Sequence, residues 1–227
     1  MIRFNFLFIL FFSTSICQVD NLDWPNLKRY ANDNKRVKKI KKNGKRVIFM
    51  GNSITEGWDW HYPEYFKEKG YINRGIGGQT TPQMLIRFKP DVIDLEPDIV
   101  VILAGTNDIA GNTGPSNVKM ITDNIFSMAE LARAHQIKVV LSSILPVFQY
   151  EWAKEIKDVP ATIDSVNDEL KKYVNDHGLV YLDYFSSMVD ERKGLGGDYT
   201  SDGVHPNQDG YILMSSLAEK ILSKLLH

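Results

Sequence analysis

Ser53 stands in the run GNSITEG (51–57), directly after the apolar stretch RVIFM (46–50). A hydroxyl at the end of a buried strand has two uses. It can cap the helix that follows by accepting a bond from an unpaired N–H, or it can attack a carbonyl once a base takes its proton. These seven residues do not choose between the two. The rest of the chain must supply a base, an acid that orients it, and donors for an oxyanion.

Histidine is the usual base for a serine, because its unperturbed pKa of about 6.5 lets it accept and return a proton near neutrality. His205, in SDGVHPN (201–207), is the best placed of the five histidines. Asp202 precedes it by three residues on a stretch containing Gly203, so one turn can carry both groups. The carboxylate would then take the Nδ1 proton and leave Nε2 facing a hydroxyl. An Asp-Gly turn before a proline-led helix explains the same residues without chemistry. His135 and His177 sit where helices should end, a position that favours a cation. His227 is the last residue, and His61 is close enough to the first motif to stand at the rim of a site.

A tetrahedral intermediate needs donors aimed at its oxygen. Gly78, in RGIGGQT (74–80), can offer a backbone N–H with no side chain in the way, and Asn107, in GTNDIAGNTG (105–114), can offer its amide. The Ser53 N–H is a third candidate. Each of these has an ordinary loop explanation when taken alone. Four such segments in fitting order make a coincidence of caps and turns a poor account.

The elements that must position them are legible from periodicity. Residues 46–50, 71–73, 98–104, 137–144 and 179–183 are short β-branched or aromatic runs bounded by Gly, Pro or polar residues, and read as buried strands. Helical stripes lie between them: Val118, Ile121, Ile125, Met128 and Ala132; then Ile163, Val166, Leu170 and Tyr173. A last helix carries Ile212, Met214, Leu217, Ile221, Leu222 and Leu225, opened by Pro206 and Asn207, and Thr81 before Pro82 marks another start. Such alternation predicts an α/β fold: a three-layer α/β/α sandwich on a five-stranded parallel sheet, in a flavodoxin-like order. Ligands of such sheets bind beyond the carboxyl ends of the strands, where all four motifs fall.

At 227 residues, with 43% apolar and 24% charged, the chain can bury one substantial core. Residues 1–17 read as a signal peptide: Arg3, an apolar stretch from Phe4 to Phe12, then small residues, too short to span a bilayer. Cleavage before Gln18 would remove the single cysteine, Cys17, leaving no disulfide or thiolate chemistry. Acylation of Cys17 is the weaker alternative, since Ile16 is bulky. The expected product is secreted or periplasmic, with no integral membrane segment after cleavage.

Residues 18–45 form a basic N-terminal segment ahead of a domain at 46–227. Within it and just beyond, residues 28–46 carry ten Lys or Arg against Asp33 alone. Leu27, Tyr30, Val37 and Ile40 recur at roughly helical intervals, which favours a solvated helix face over a patch for an anionic polymer. No aromatic residue interleaves the lysines from 35 to 46, which argues against nucleic acid as a partner. Nucleotide binding is disfavoured too, because neither a P-loop nor a G-x-G-x-x-G motif is present.

GNSITEG, NRGIGGQTT (73–81), GTND (105–108) and DGVHP (202–206) together resemble the four motif blocks of the SGNH hydrolases, the GDSL esterase and lipase family. The resemblance runs from about residue 46 to the C-terminus. It implies Ser53 as nucleophile, Asp202 and His205 as orienter and base, and Gly78, Asn107 and the Ser53 N–H as the oxyanion hole. It implies no cofactor and no metal. Asn52 stands where the family often has Asp, so the hydrogen bonding around Ser53 should differ. There is no G-x-S-x-G elbow of the α/β-hydrolase kind.

The expected activity is a serine esterase acting on short acyl groups, acetyl on carbohydrate foremost, through an acyl-enzyme. Trp58, Trp60, Tyr62, Phe148, Tyr150 and Trp152 should cluster near the mouth, to stack on sugars, line an acyl pocket or pack on one another. Lysophospholipase or arylesterase activity, and a non-catalytic glycan-binding module, are the rivals.

Overall fold

The computed structural model of the chain describes residues 23–42 and 44–227. The expected signal peptide, Cys17 included, lies outside the described residues. The chain opens with α1 (Ala31–Lys39), β1 (Val47–Gly51) and three short helices, α2 (Ser53–Glu56), α3 (Trp58–His61) and α4 (Pro63–Lys69). β2 (Ile72–Gly75), α5 (Thr81–Asp91), β3 (Ile99–Leu103), α6 (Thr106–Ile109), α7 (Val118–Ala134) and β4 (Lys138–Ser142) follow. α8 (Val159–His177), β5 (Val180–Leu182), α9 (Phe185–Met188) and α10 (Gln208–Leu226) complete it.

All five expected strands form, and every neighbouring pair is parallel. Their order, β2-β1-β3-β4-β5, is the flavodoxin-like one. Successive side chains of a strand point to opposite faces, so a sheet covered on both sides must be apolar throughout. Val47 and Phe49 of β1, with Val101 and Leu103 of β3, join a core made with Trp58, Phe66, Tyr211, Met214 and Leu222. Ile48 and Met50, with Val100 and Ile102, join the opposite core with Met84, Phe88, Ile125, Met128, Ile163 and Leu170. The result is an α/β/α sandwich with α3, α4 and α10 on one face and α5, α7 and α8 on the other.

The stripes of α7 and α8 are buried as their spacing predicts, apart from half-buried Val118 at the start of α7. Two details of the helices differ. α5 is capped by Thr80 rather than Thr81, in a reciprocal box with Gln83. On α10, Ile212 is exposed, because the buried stripe runs through Tyr211, Met214, Ala218 and Leu222.

The basic segment forms α1, and its four spaced apolar residues do not share one buried face. Leu27 and Ile40 are exposed, Val37 packs on the core, and half-buried Tyr30 donates its hydroxyl proton to the Gly75 carbonyl. Polar side chains complete the docking. Asn34, 6% exposed, donates to Asp91 at 2.6 Å and accepts from Arg74 Nε at 3.1 Å, while Arg74 also reaches Asp33 at 2.7 Å. The lysines do lie on a solvated face, and Lys38 and Lys42 pair with Asp94 and Asp98.

Candidate active site

Strand register brings the motifs together. Gly51, the last residue of β1, pairs with Gly75 of β2 on one side and Leu103 of β3 on the other. Ser53, Gly78 and Asn107 therefore follow three aligned strand ends by two, three and four residues. Close packing requires the glycines there. A Cβ on Gly75 would lie 2.1 Å from the Glu56 backbone N, and one on Gly51 would lie 1.9 Å from Thr55 Oγ1. Their absence lets α2 fold back over the strand ends.

Asn52 answers the capping question. Its Oδ1 accepts the Ile54 N–H at 3.0 Å and makes it the cap of α2, so the Ser53 hydroxyl is not used for that purpose. Ser53 Oγ lies 3.0 Å from His205 Nε2 across 152 residues of sequence. Asn52 Nδ2 is buried with no partner among the described residues, at the cost of an unmade hydrogen bond.

His205 is partly exposed and is oriented by its own turn. Its Nδ1 is 2.7 Å from Asp202 Oδ2, and its backbone N–H donates to Asp202 Oδ1 at 2.7 Å. Burial pushes the Asp202 carboxyl up, but the His205 N–H, the His205 ring and the Val204 N–H outweigh it and hold the group at about 2. Thr200 Oγ1 donates to the His205 carbonyl at 2.7 Å, and Asn207 caps α10 immediately afterwards. The turn reading and the chemical reading of DGVHP thus describe the same residues.

The 75–79 loop passes beside Ser53: a Cβ built on Gly77 would be 3.9 Å from Ser53 Cβ. Gly78 adopts φ +74, a conformation that favours glycine, and its N–H has no acceptor among the described residues. Asn107, 3% exposed, donates from Nδ2 to the Gln79 carbonyl at 2.9 Å, which fixes its amide against the same loop.

Two carboxylates that sequence reasoning did not single out hold this geometry. Glu56 Oε2 accepts the Gly77 N–H at 2.7 Å, and its Oε1 accepts from Arg29 at 2.9 Å. Asp108, next to Asn107, accepts the Thr81 N–H at 3.0 Å and the Thr81 hydroxyl at 2.6 Å, joining α6 to the start of α5. Burial pushes its carboxyl up to about 6 against those donors. The available signal was a charged residue inside an otherwise glycine-rich or apolar motif.

The aromatic residues divide. Trp58 is 1% exposed and donates to Ser215 Oγ at 2.9 Å, and Tyr150 is also buried, so neither stands at the mouth. Tyr62 stacks on Tyr65, while Trp60 and Phe148 are exposed. Trp152, 50% exposed, lies with its ring centroid 6.3 Å from that of His205. His61 stacks on Tyr211 rather than approaching Ser53 or Asp202 by any hydrogen bond. A hollow of about 400 Å³ adjoins the loop, lined by Trp24, Asn26, Gly78 and Gln83 among others. A larger one of about 600 Å³, lined by Lys38, Arg46 and Glu96, lies at the opposite end of the sheet, before β1 and β3 begin.

The family model for the GDSL-like lipase/acylhydrolase family matches residues 49–213. A crystal structure of a GDSL-like lipase from Bacteroides thetaiotaomicron is 48% identical, with a TM-score of 0.86, covering 88% of this chain and 98% of that one. An acetylxylan esterase of Xylanibacter ruminicola is 25% identical over 222 residues, spanning 81% of this chain and 44% of that protein. The uncharacterized lipoprotein YqeF of Bacillus subtilis is 33% identical over 120 residues, 45% of this chain and 49% of that protein. The chain thus spans about half the length of the curated relatives it matches.

Proposed function

The chain belongs to the GDSL-like lipase/acylhydrolase family, and on that premise we propose that it is a serine carboxylic ester hydrolase acting on short acyl esters, acetyl groups on carbohydrate foremost. The observation that carries this reading is the 3.0 Å approach of Ser53 Oγ to His205 Nε2, continued by the 2.7 Å contact of His205 Nδ1 with Asp202.

His205 Nε2 takes the Ser53 proton as Oγ attacks the ester carbonyl. The N–H groups of Ser53 and Gly78 and the Asn107 amide receive the negative oxygen of the tetrahedral intermediate. His205 then gives its proton to the leaving alcohol. Water enters, loses a proton to the same nitrogen, and attacks the acyl-enzyme to release the acid and restore Ser53. Asp202 stays ionised throughout, fixing the imidazole tautomer.

The alcohol must leave on the side of His205, since that ring protonates it. Half-exposed Trp152 borders this side and offers a flat apolar face, which suits a sugar ring. The acetylxylan esterase of Xylanibacter ruminicola supports the same substrate class. The apolar leader supports export, with residues 1–17 removed. Among the described residues no helix is long and apolar enough to cross a membrane.

A fluorophosphonate probe tests the reading. It should label the wild type and not Ser53→Ala; a wild type that stays unlabelled and inert while binding glycans would make the chain a binding module instead. Hydrolysis of p-nitrophenyl esters should then be fastest for acetyl and decline with chain length. A maximum at long chains would point to lysophospholipids.

A further inference from the structure

Residues 23–30 lie outside the span that the family model matches, yet they reach into the site. Asp23 shapes this strap by accepting the Leu27 and Lys28 N–H groups at 2.7 and 2.9 Å. Three contacts then bind the strap to the segment that bears Gly78, and a fourth reaches that segment through Glu56. Gln83 Nε2 donates to the Trp24 carbonyl at 2.8 Å, and Gln79 Nε2 to the Pro25 carbonyl at 2.7 Å. Tyr30 donates its hydroxyl proton to the Gly75 carbonyl at 2.5 Å. Arg29 reaches Glu56 Oε1 at 2.9 Å, and the other oxygen of that carboxylate holds the Gly77 N–H.

We infer that this strap is a positioning element of the oxyanion loop, with Arg29 acting on Gly78 through Glu56 and Gly77. The inference rests on the esterase reading above. Past the end of β2 at Gly75, glycine at 77 and 78 leaves the loop little of its own to fix its backbone, since these residues lack the side chains that restrict φ and ψ. Oxyanion donors act only if they are already aimed when charge develops. The tethers fall at Gly75, Gly77 and Gln79, on both sides of Gly78, so the strap supplies from outside the rigidity that the loop sequence lacks. Arg29 also holds the Glu56 carboxylate toward Gly77: without its cation the buried carboxylate loses one of its two partners, and the Gly77 N–H loses a fixed acceptor. Neither Arg29 nor Tyr30 carries out chemistry.

The test is steady-state kinetics on p-nitrophenyl acetate, the rate of fluorophosphonate labelling of Ser53, and melting temperature, for full-length Arg29→Gln, Arg29→Lys, Tyr30→Phe and Lys28→Gln. Attack on phosphorus builds charge on an oxygen in the same hole, so labelling reads the donors directly. Arg29→Gln should lower kcat about tenfold, a fraction of the loss caused by deleting a donor, with KM changed less than twofold and labelling slowed in parallel. Arg29→Lys should recover part of the loss, Tyr30→Phe should lose less, and Lys28→Gln, which removes an equal charge outside these tethers, should match wild type. Folded Arg29→Gln and Tyr30→Phe proteins with wild-type kcat and labelling, whatever their melting temperatures, would overturn the inference alone. An equal kcat loss in Lys28→Gln would also overturn it, in favour of a general charge effect. An inert wild type would overturn the esterase reading, and this inference with it.

Discussion

The two halves of the site that meet at Ser53 are built in opposite ways. The proposed acid–base half is one exposed turn. Asp202 receives the Val204 and His205 N–H groups and the His205 ring, and all three donors lie within three residues of it. The proposed oxyanion half is drawn from four distant stretches. Its contacts join residues 27 apart in Arg29 to Glu56, 21 in Glu56 to Gly77, 28 in Asn107 to Gln79 and 27 in Asp108 to Thr81. A local turn can orient a ring that must pick up and release a proton in contact with water. Donors that must be aimed at one point before charge appears need a cross-braced, buried frame.

Ser53→Ala removes the atom at which the halves meet and should lower ester hydrolysis by on the order of 10⁴-fold or more, measured as kcat/KM. A residual rate near wild type would show that the two halves do not serve one nucleophile. The next contrast separates them. Asn107→Ala should cost about 10²- to 10³-fold in kcat, the usual loss for one oxyanion donor. Asp202→Ala should cost about 10²-fold, less than truncating a buried orienting acid would, because water can enter the half-exposed space and accept the His205 Nδ1 proton. A larger loss from Asp202→Ala than from Asn107→Ala would reverse this ordering.

Glycine substitutions probe the frame itself. Gly75→Ala drives a methyl group into the Glu56 backbone and should destabilise the protein by about 3 kcal/mol, by chemical denaturation. Gly203→Ala meets nothing within 4 Å and pays only for its φ of +80, about 1–2 kcal/mol. Equal losses at the two sites would mean that the oxyanion half yields as readily as the turn.

The smallest effects are on stability against pH, and they have opposite signs. Asp202, held down at about 2, contributes stability that is complete above about pH 4 and lost as pH falls from there toward 2. Asp108, pushed up to about 6, binds its proton more tightly folded than unfolded, so stability falls as pH rises from about 4 to 6. Melting temperatures of Asp202→Asn and Asp108→Asn against wild type should differ with pH in those separate windows. A single shared window would remove the electrostatic contrast.

Much of this was legible in the sequence. Runs such as RVIFM and DIVVILA are short, β-branched or aromatic, and apolar at consecutive positions, as a strand covered on both faces requires, and the parallel order followed from their alternation with helical stripes. Asp202 and His205 could be paired because three residues and a glycine close a turn. Trp58 misled, because composition does not say whether an aromatic side chain faces the mouth or the sheet; Phe49, 5.6 Å away, decides that it packs inward. The docking of α1 was not legible at all: its buried contacts are made by Asn34 and Arg74, whose fit depends on partners 40 and 57 residues from Asn34.

By itself, then, the sequence determined the sheet, its helices and the local Asp202–His205 turn, since hydrophobic period and turn closure act over a few neighbouring residues. It offered Ser53 as either cap or nucleophile. Tertiary structure made Asn52 the cap, left Ser53 beside His205, and recruited Glu56, Asp108 and Arg29 to brace the loop around Gly78. Those outcomes depend on distances between side chains far apart in the chain, and such distances exist only once the sheet register and the packing of α2 over it are fixed.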